Sequence, residues 1–151
     1  MTKYRNPTPT VDVIVQRESK VLMVRRKKDP FKDHLSLPGG FVEEGETVEE
    51  AMRREAMEET ALEVEPIDIL GVYSEPGRDP RKHILTVVFI GIIIGESGTG
   101  RAGDDAASIE WIELTDIERQ GIAFDHSLIL RDYLRWRSSG GTFWSTKRRN
   151  Y

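Results

Sequence analysis

Cysteine is absent from the 151 residues, which excludes disulfides, thiolate metal sites and a cysteine nucleophile, and is compatible with a reducing compartment. Long hydrophobic runs are absent as well. The longest apolar stretch, Leu85 to Ile94 with Gly91 inside it, is too short and too β-branched to span a bilayer; it reads as a buried strand, and no membrane partner is expected. The opening residues, MTKYRNPTPT, lack an apolar signal core, so the expected location is the cytoplasm. A basic excess is missing too. The formal net charge of -4 argues against a protein that holds nucleic acid by phosphate neutralisation alone. It leaves room for a small anionic substrate, because local arginines and cations can offset repulsion in one cleft. Histidine is scarce. His34 and His83 read more readily as hydrogen-bonded structural residues than as bases, and His126 as a residue that helps to start the last helix.

What is present is an ordinary soluble composition, 38% hydrophobic and 32% charged, sufficient for one domain with a real core. Val11 to Gln16 and Lys20 to Arg25 are β-rich runs separated by a polar turn, which predicts a hairpin. Strand-like residues return at Leu35 to Leu37, Leu62 to Tyr73, His83 to Ile94 and Ile109 to Leu114. A short helical turn is expected at Asp116 to Arg119, and helical periodicity runs through Leu128, Leu130, Tyr133 and Leu134. Strands with a helix on each side imply an α/β fold, an α/β/α sandwich with a mixed sheet. Residues 1–139 are expected to form a single domain, followed by a tail, 140–151, that either floats or docks through Phe143 and Trp144.

Between Gly40 and Leu62, GFVEEGETVEEAMRREAMEETAL, carboxylates stand where a helix is ordinarily apolar. Thr47 as N-cap, with Glu50 completing a capping box, predicts a helix from Val48 to about Thr60. At ~3.6 residues per turn, Val48, Ala51, Met52 and Ala56 share one face; Glu55 and Glu59 project from the same stripe, with Glu58 at its edge. Carboxylates turned toward a core are costly unless paired or ligating a cation. The alternative is a solvated helix laced by pairs such as Glu50 to Arg54. What precedes the helix decides against it: Leu35, Leu37, Pro38, Gly39 and Gly40 make a hydrophobic strand end and a turn whose glycines permit close backbone approach. A carbonyl there could join the carboxylates around a cation, and hard oxygen donors suit Mg²⁺ or Mn²⁺.

The same run resembles the Nudix box, G-x5-E-x7-R-E-U-x-E-E-x-G-U with U apolar. Gly40, Glu46, Arg54, Glu55, Ala56, Glu58, Glu59 and Leu62 match in register, and Ala61 stands where the box has its late glycine. That departure bears on how the helix ends more than on chemistry. The resemblance implies the Nudix version of the sandwich and a metal shell of Glu55, Glu58 and Glu59 with the Gly40 carbonyl. There, water attacks a phosphorus of a nucleoside diphosphate linked to another group, without a covalent enzyme intermediate. Glu46 and Arg54 read as a buckle between loop and helix. Many relatives supply a further catalytic carboxylate from a later loop. Asp105 is the choice here over Asp104, by its offset from Trp111, with a turn acid that caps local backbone as the alternative.

Two segments, GVYSEPGRDPRKH from Gly71 to His83 and PFKDHLSLPGGFVEEGETVEEA, resemble the ADP-ribose pyrophosphatases of this family. The implied reaction converts ADP-ribose to AMP and ribose 5-phosphate. Alternatives are another Nudix pyrophosphohydrolase, acting on oxidised nucleoside triphosphates, dinucleoside polyphosphates or a reduced nicotinamide dinucleotide, and a non-catalytic nucleotide sensor. Complete Glu55, Glu58 and Glu59 disfavour the last. Arg78 and Arg81 could meet phosphates or a terminal ribose, or be plain surface arginines. Arg25, at the end of a strand leading into the cleft, is preferred to Arg26 for phosphate. Tyr73 or Phe31 could stack on adenine, or simply pack. Family members commonly dimerise, which makes a homodimer a possible state.

Overall fold

The first strand is buried without a break from Thr10 to Val15, and its apolar side chains divide between two clusters: Val11, Val13 and Val15 of β1 (Thr8–Arg17) belong to one and Ile14 to the other. Successive side chains of a strand point to opposite faces, so a strand apolar on both needs cover on both. The computed structural model describes residues 3–95, 98–104 and 106–150. In chain order β1 is followed by β2 (Lys20–Arg26), β3 (Leu35–Ser36), β4 (Gly39–Phe41), α1 (Val48–Thr60), β5 (Val64–Tyr73), β6 (Ile84–Ile93) and β7 (Ala106–Glu113). A 3₁₀ helix at Leu114–Arg119, then α2 (His126–Ser139) and β8 (Phe143–Trp144) complete the order.

The strands form an eight-stranded sheet in the order β3-β2-β1-β6-β5-β8, with β4 on β1 and β7 on β2. Pairing is mixed: β1 runs antiparallel to β2 and parallel to β6. Ala51, Met52 and Ala56 of α1 pack with Val11, Val13, Val15, Leu22 and Phe89 on one side. Ile129, Leu130 and Tyr133 of α2 pack with Ile14, Val21, Met23, Leu70 and Val88 on the other. This is the expected α/β/α sandwich. Among the described residues, no helix is long and apolar enough to cross a membrane.

Helix α1 begins and ends as its local sequence dictates. The Thr47 side chain accepts from the Glu50 N–H at 3.1 Å and the Glu50 carboxylate accepts from the Thr47 N–H at 3.3 Å, closing the capping box. At the other end Ala61 adopts the left-handed conformation, φ 58°, with its N–H donating to the Met57 carbonyl. An alanine therefore performs the turn that glycine makes without steric cost. Ala61→Gly is expected to raise the unfolding free energy by about 1 kcal/mol, read as a higher urea midpoint at unchanged slope.

One segment differs from expectation. The predicted glycine turn is a strand, β4, because Gly39 and Gly40 pair antiparallel with Asp12 and Val11 of β1. In the tail, Phe143 is buried in the α2-side core and β8 pairs parallel with Gly71 and Val72 of β5.

Candidate active site

Strand β4 lies between β1 and α1, and each of its two glycines faces a carboxylate. A Cβ on Gly39 would fall on the Val11 carbonyl and the Asp12 carboxylate; one on Gly40 would lie 2.5 and 2.6 Å from the two Glu55 carboxylate oxygens. Neither residue has a positive φ. Close approach, not turn conformation, is what requires glycine here.

Glu59 completes this acidic end, accepting the Gly39 N–H on Oε2 at 3.2 Å. Burial pushes its pKa up to about 8 against the pull of that hydrogen bond, and the neighbouring Glu55 and Asp12 charges add to the rise. Asp12 is raised to about 7, again chiefly by burial, although Thr86 donates to its Oδ2 at 2.7 Å. Burial raises Glu55 too, opposed by Arg54. Three acids that resist ionisation together form a site short of positive charge. Mg²⁺ and Mn²⁺ suit such oxygen donors, and Mg²⁺ commonly takes only one or two carboxylates alongside waters and substrate phosphates. Glu55 and Glu59, with the Gly40 that makes room for Glu55, therefore fit a divalent cation.

Arg54 ties the acidic end to the loop before the helix. Its Nε and Nη2 donate to Glu46 at 3.1 and 2.6 Å, Nη2 to the Phe41 carbonyl at 2.9 Å, and Nη1 to Glu55 at 2.8 Å. Glu46 raises its pKa further, so the guanidinium is a permanent charge. Glu58 stands apart: its side chain is 58% exposed and its carboxylate accepts from Arg54 at 3.2 Å. Thus Glu55 and Glu59 meet in the cleft while Glu58 sits on its rim, and among the described residues no three acidic or imidazole groups close around a single point. Asp105 lies outside the described residues.

The rest of the cleft is basic and aromatic. Arg26, Arg78, Arg81, Phe41 and Phe124 line it together with Gly40, Glu55 and Glu59. Arg78 has only 4% of its side chain exposed and donates to Asp125 at 2.9 and 2.6 Å, just ahead of α2. Arg81 is held by Asp79 at 3.1 and 2.9 Å and approaches the Phe41 and Phe124 rings. Arg25 is not among the lining residues. It pairs in bidentate fashion with Glu110 of β7, whereas Arg26, which lies 4.9 Å over the Phe124 ring, takes the cleft position. Strand alternation allows only one of two successive residues to face a given side, and a register shift between Arg25 and Arg26 helps set which.

Other sequence-based candidates have structural partners. Tyr73 is fully buried and its hydroxyl donates to Asp132 at 2.7 Å, so it packs instead of stacking on a base. Phe31 meets Phe124 edge-on at 4.9 Å. His34 and His83 contact the Lys32 and Ser74 carbonyls. His126 accepts the Leu37 N–H on Nδ1 at 3.0 Å; burial drives its pKa down to about 3, leaving it neutral. Sequence reasoning ranks Arg26 behind Arg25 and does not single out Asp12, Phe41 or Phe124, all of which line the cleft. A signal for Asp12 existed: it is a lone acid between Val11 and Val13 in an otherwise apolar strand.

A glycine-walled acidic pocket between β4 and the second half of α1, braced by Glu46 and Arg54, agrees with the resemblance noted in the sequence. The NUDIX domain family model matches residues 6–133. The chain belongs to the Nudix family. It is 48% identical over 135 residues to the ADP-ribose pyrophosphatase of Methanocaldococcus jannaschii, covering 89% of this chain and 78% of that protein. Among solved structures, the NUDIX domain of Shewanella oneidensis NrtR complexed with ADP ribose is similar at a TM-score of 0.76 and 26% identity, covering 90% of this chain and 91% of that one. The bifunctional NMN adenylyltransferase/ADP ribose pyrophosphatase of Francisella tularensis, complexed with AMP and a Mn ion, has a TM-score of 0.76 at 27% identity; 93% of this chain aligns with 44% of it. Nudix hydrolases generally need a divalent metal, which agrees with the donor set around β4.

Proposed function

We propose that this Nudix chain hydrolyses ADP-ribose to AMP and ribose 5-phosphate with Mg²⁺ or Mn²⁺, held by Glu55, Glu58, Glu59 and the Gly40 carbonyl. The observation that carries the reading is the polarity of the cleft. Buried acids crowd one end, and Arg26, Arg78 and Arg81 line the same cavity with two aromatic rings. Support for the substrate comes from the 48% identical relative, an ADP-ribose pyrophosphatase. When bound, the cation neutralises charge on the diphosphate and lowers the pKa of water so that it can attack phosphorus near neutral pH.

The chain's own residues do the remainder. Water adds to one phosphorus of the diphosphate, the bond from that phosphorus to the bridging oxygen breaks, and both products leave as phosphomonoesters. Glu55 is kept oriented by Arg54, and Glu59 by the Gly39 N–H. Arg26 and Arg81 offer cations to the diphosphate, while Arg78 is committed to Asp125 and fixes the loop that carries Arg81. Phe41 and Phe124 provide apolar faces for sugar or base. Asp105 is the proposed further carboxylate.

The test is a panel of ADP-ribose, nucleoside triphosphates, diadenosine polyphosphates and reduced nicotinamide dinucleotide, compared by kcat/KM with Mg²⁺. ADP-ribose is expected to lead by about tenfold or more, roughly 1.4 kcal/mol in transition-state stabilisation, with turnover lost in a chelator and restored by Mg²⁺. A panel in which ADP-ribose is not among the best substrates overturns the reading.

A further inference from the structure

We infer that the C-terminal tail positions the substrate loop of the cleft, and that Ser145 is the residue through which it acts. The inference rests on the reading of Arg81, carried by the loop that Arg78 fixes, as substrate-binding. Residues 74–82 leave the sheet at Tyr73 and return at β6, carrying Arg78 and Arg81 into the cleft. Both amides at the start of this loop, Ser74 N–H and Glu75 N–H, donate to Ser145 Oγ, at 2.8 and 3.1 Å. The loop thus has its first two backbone donors satisfied by one side chain about 70 residues away in sequence, a tertiary form of the capping seen at helix starts.

What holds Ser145 in place is buried. Arg149 donates Nε to Asp132 Oδ1 at 2.8 Å and Nη2 to Asp132 Oδ2 at 2.7 Å, with no exposure of the Asp132 side chain. The same guanidinium donates to the Trp144 and Ser145 carbonyls at 2.9 and 3.2 Å, fixing the backbone around Ser145. Asp132 also accepts from Tyr73, the last residue before the loop, so one carboxylate on α2 anchors both the tail and the strand end that the tail caps. Midway along, the loop has its own anchor, Arg78 on Asp125. Loss of the Ser145 hydroxyl leaves two amides without that acceptor and loosens the base of the loop, where the His83 contact with the Ser74 carbonyl remains, while the acidic end of the cleft, on α1 and β4, is untouched. The signature is therefore in substrate affinity and not in metal use.

Ser145→Ala and Ser145→Thr separate this from a merely structural tail, because threonine keeps the accepting oxygen. With Mg²⁺ and the best substrate of the panel, Ser145→Ala is expected to raise KM about tenfold, equivalent to one lost hydrogen-bonded anchor, with kcat within about twofold and the Mg²⁺ half-saturation unchanged. In the substrate-free protein, amide exchange in the peptide spanning residues 74–82 should accelerate about tenfold or more in Ser145→Ala, with other peptides unchanged. Ser145→Thr restores both. Wild-type KM and loop exchange in Ser145→Ala overturn the inference. So does exchange accelerated over the whole chain and not rescued by threonine. Because exchange is measured without substrate, faster loop exchange in Ser145→Ala alongside a poor result for ADP-ribose in the panel would count against the substrate and not against the tail's role.

Discussion

Glu59→Gln is expected to cut Mg²⁺-dependent kcat by about 10²–10³-fold, the scale of losing one preorganised electrostatic group in an active site. It should do so while making the metal-free protein more stable at pH 8. The two effects share a cause. Glu59 is buried beside Glu55 and Asp12, and its pKa is raised to about 8, so its ionised form is tolerated poorly unless a cation is present. Glutamine keeps an acceptor for the Gly39 N–H and removes the charge. A variant that loses turnover through misfolding would lose stability instead, and this opposition in sign makes the result diagnostic. Unchanged turnover would sink the assignment of Glu59 as a metal ligand.

The pH dependence follows from the same groups. A carboxyl at about 8 in the folded chain and near its ordinary 4.5 in the unfolded chain holds its proton in the fold after the unfolded chain has released it. Stability is then lost as pH rises through that window. Asp12, raised from 3.8 to about 7, acts in the same direction. His126 has the opposite sign: lowered from 6.5 to about 3, it costs stability as pH falls below 6.5. Between pH 6.5 and 8 the carboxylates act without that opposition. The metal-free parent should therefore melt at progressively lower temperature across that interval, by an amount on the order of a few kcal/mol in unfolding free energy at most. Saturating Mg²⁺ should flatten the slope, and Glu59→Gln should remove most of it. Scanning calorimetry with and without chelator reads all three.

The second large effect is expected from the two glycines of β4, whose replacements should fail in different ways. In Gly40→Ala the new methyl meets the end of the Glu55 side chain, 2.5 and 2.6 Å from its oxygens, and a side chain can yield. The fold should survive at a cost of about 1–3 kcal/mol, while Glu55 is pushed from its place beside Arg54 and kcat falls by roughly 10²-fold. In Gly39→Ala the methyl meets the Val11 carbonyl, which is backbone in a central strand and has nowhere to go. That variant should lose about 3 kcal/mol or more and the β1–β4 pairing with it. Equal stability of the two variants would contradict the packing described here.

Legibility in the sequence tracked how local each rule was. The span of α1 from Val48 to Thr60, its capping box and its apolar face were readable because capping and 3.6-residue periodicity act within a few positions. The β1–β2 hairpin, β5, β6 and α2 were readable for the same reason. The glycine pair was read as a turn because a run of two glycines gives no sign of the strand it will lie against. Arg25 was preferred to Arg26 because alternation alone does not say which face of β2 borders the cleft; that depends on Glu110 across the β7 pairing.

By itself, then, the sequence determined the layered α/β architecture, the acidic helix with its spacing of Glu46, Arg54, Glu55, Glu58 and Glu59, and the kind of cation such oxygens suit. Tertiary structure alone decided which of these groups share a cleft. It brought Asp12 of β1 against Gly39, left Glu58 on the rim, turned Arg26 inward, and closed the tail over the base of the arginine loop through Ser145. The reason is physical: burial and approach between distant segments set both the charge state of an acid and the reach of an arginine, and neither is encoded in the neighbours of a residue along the chain.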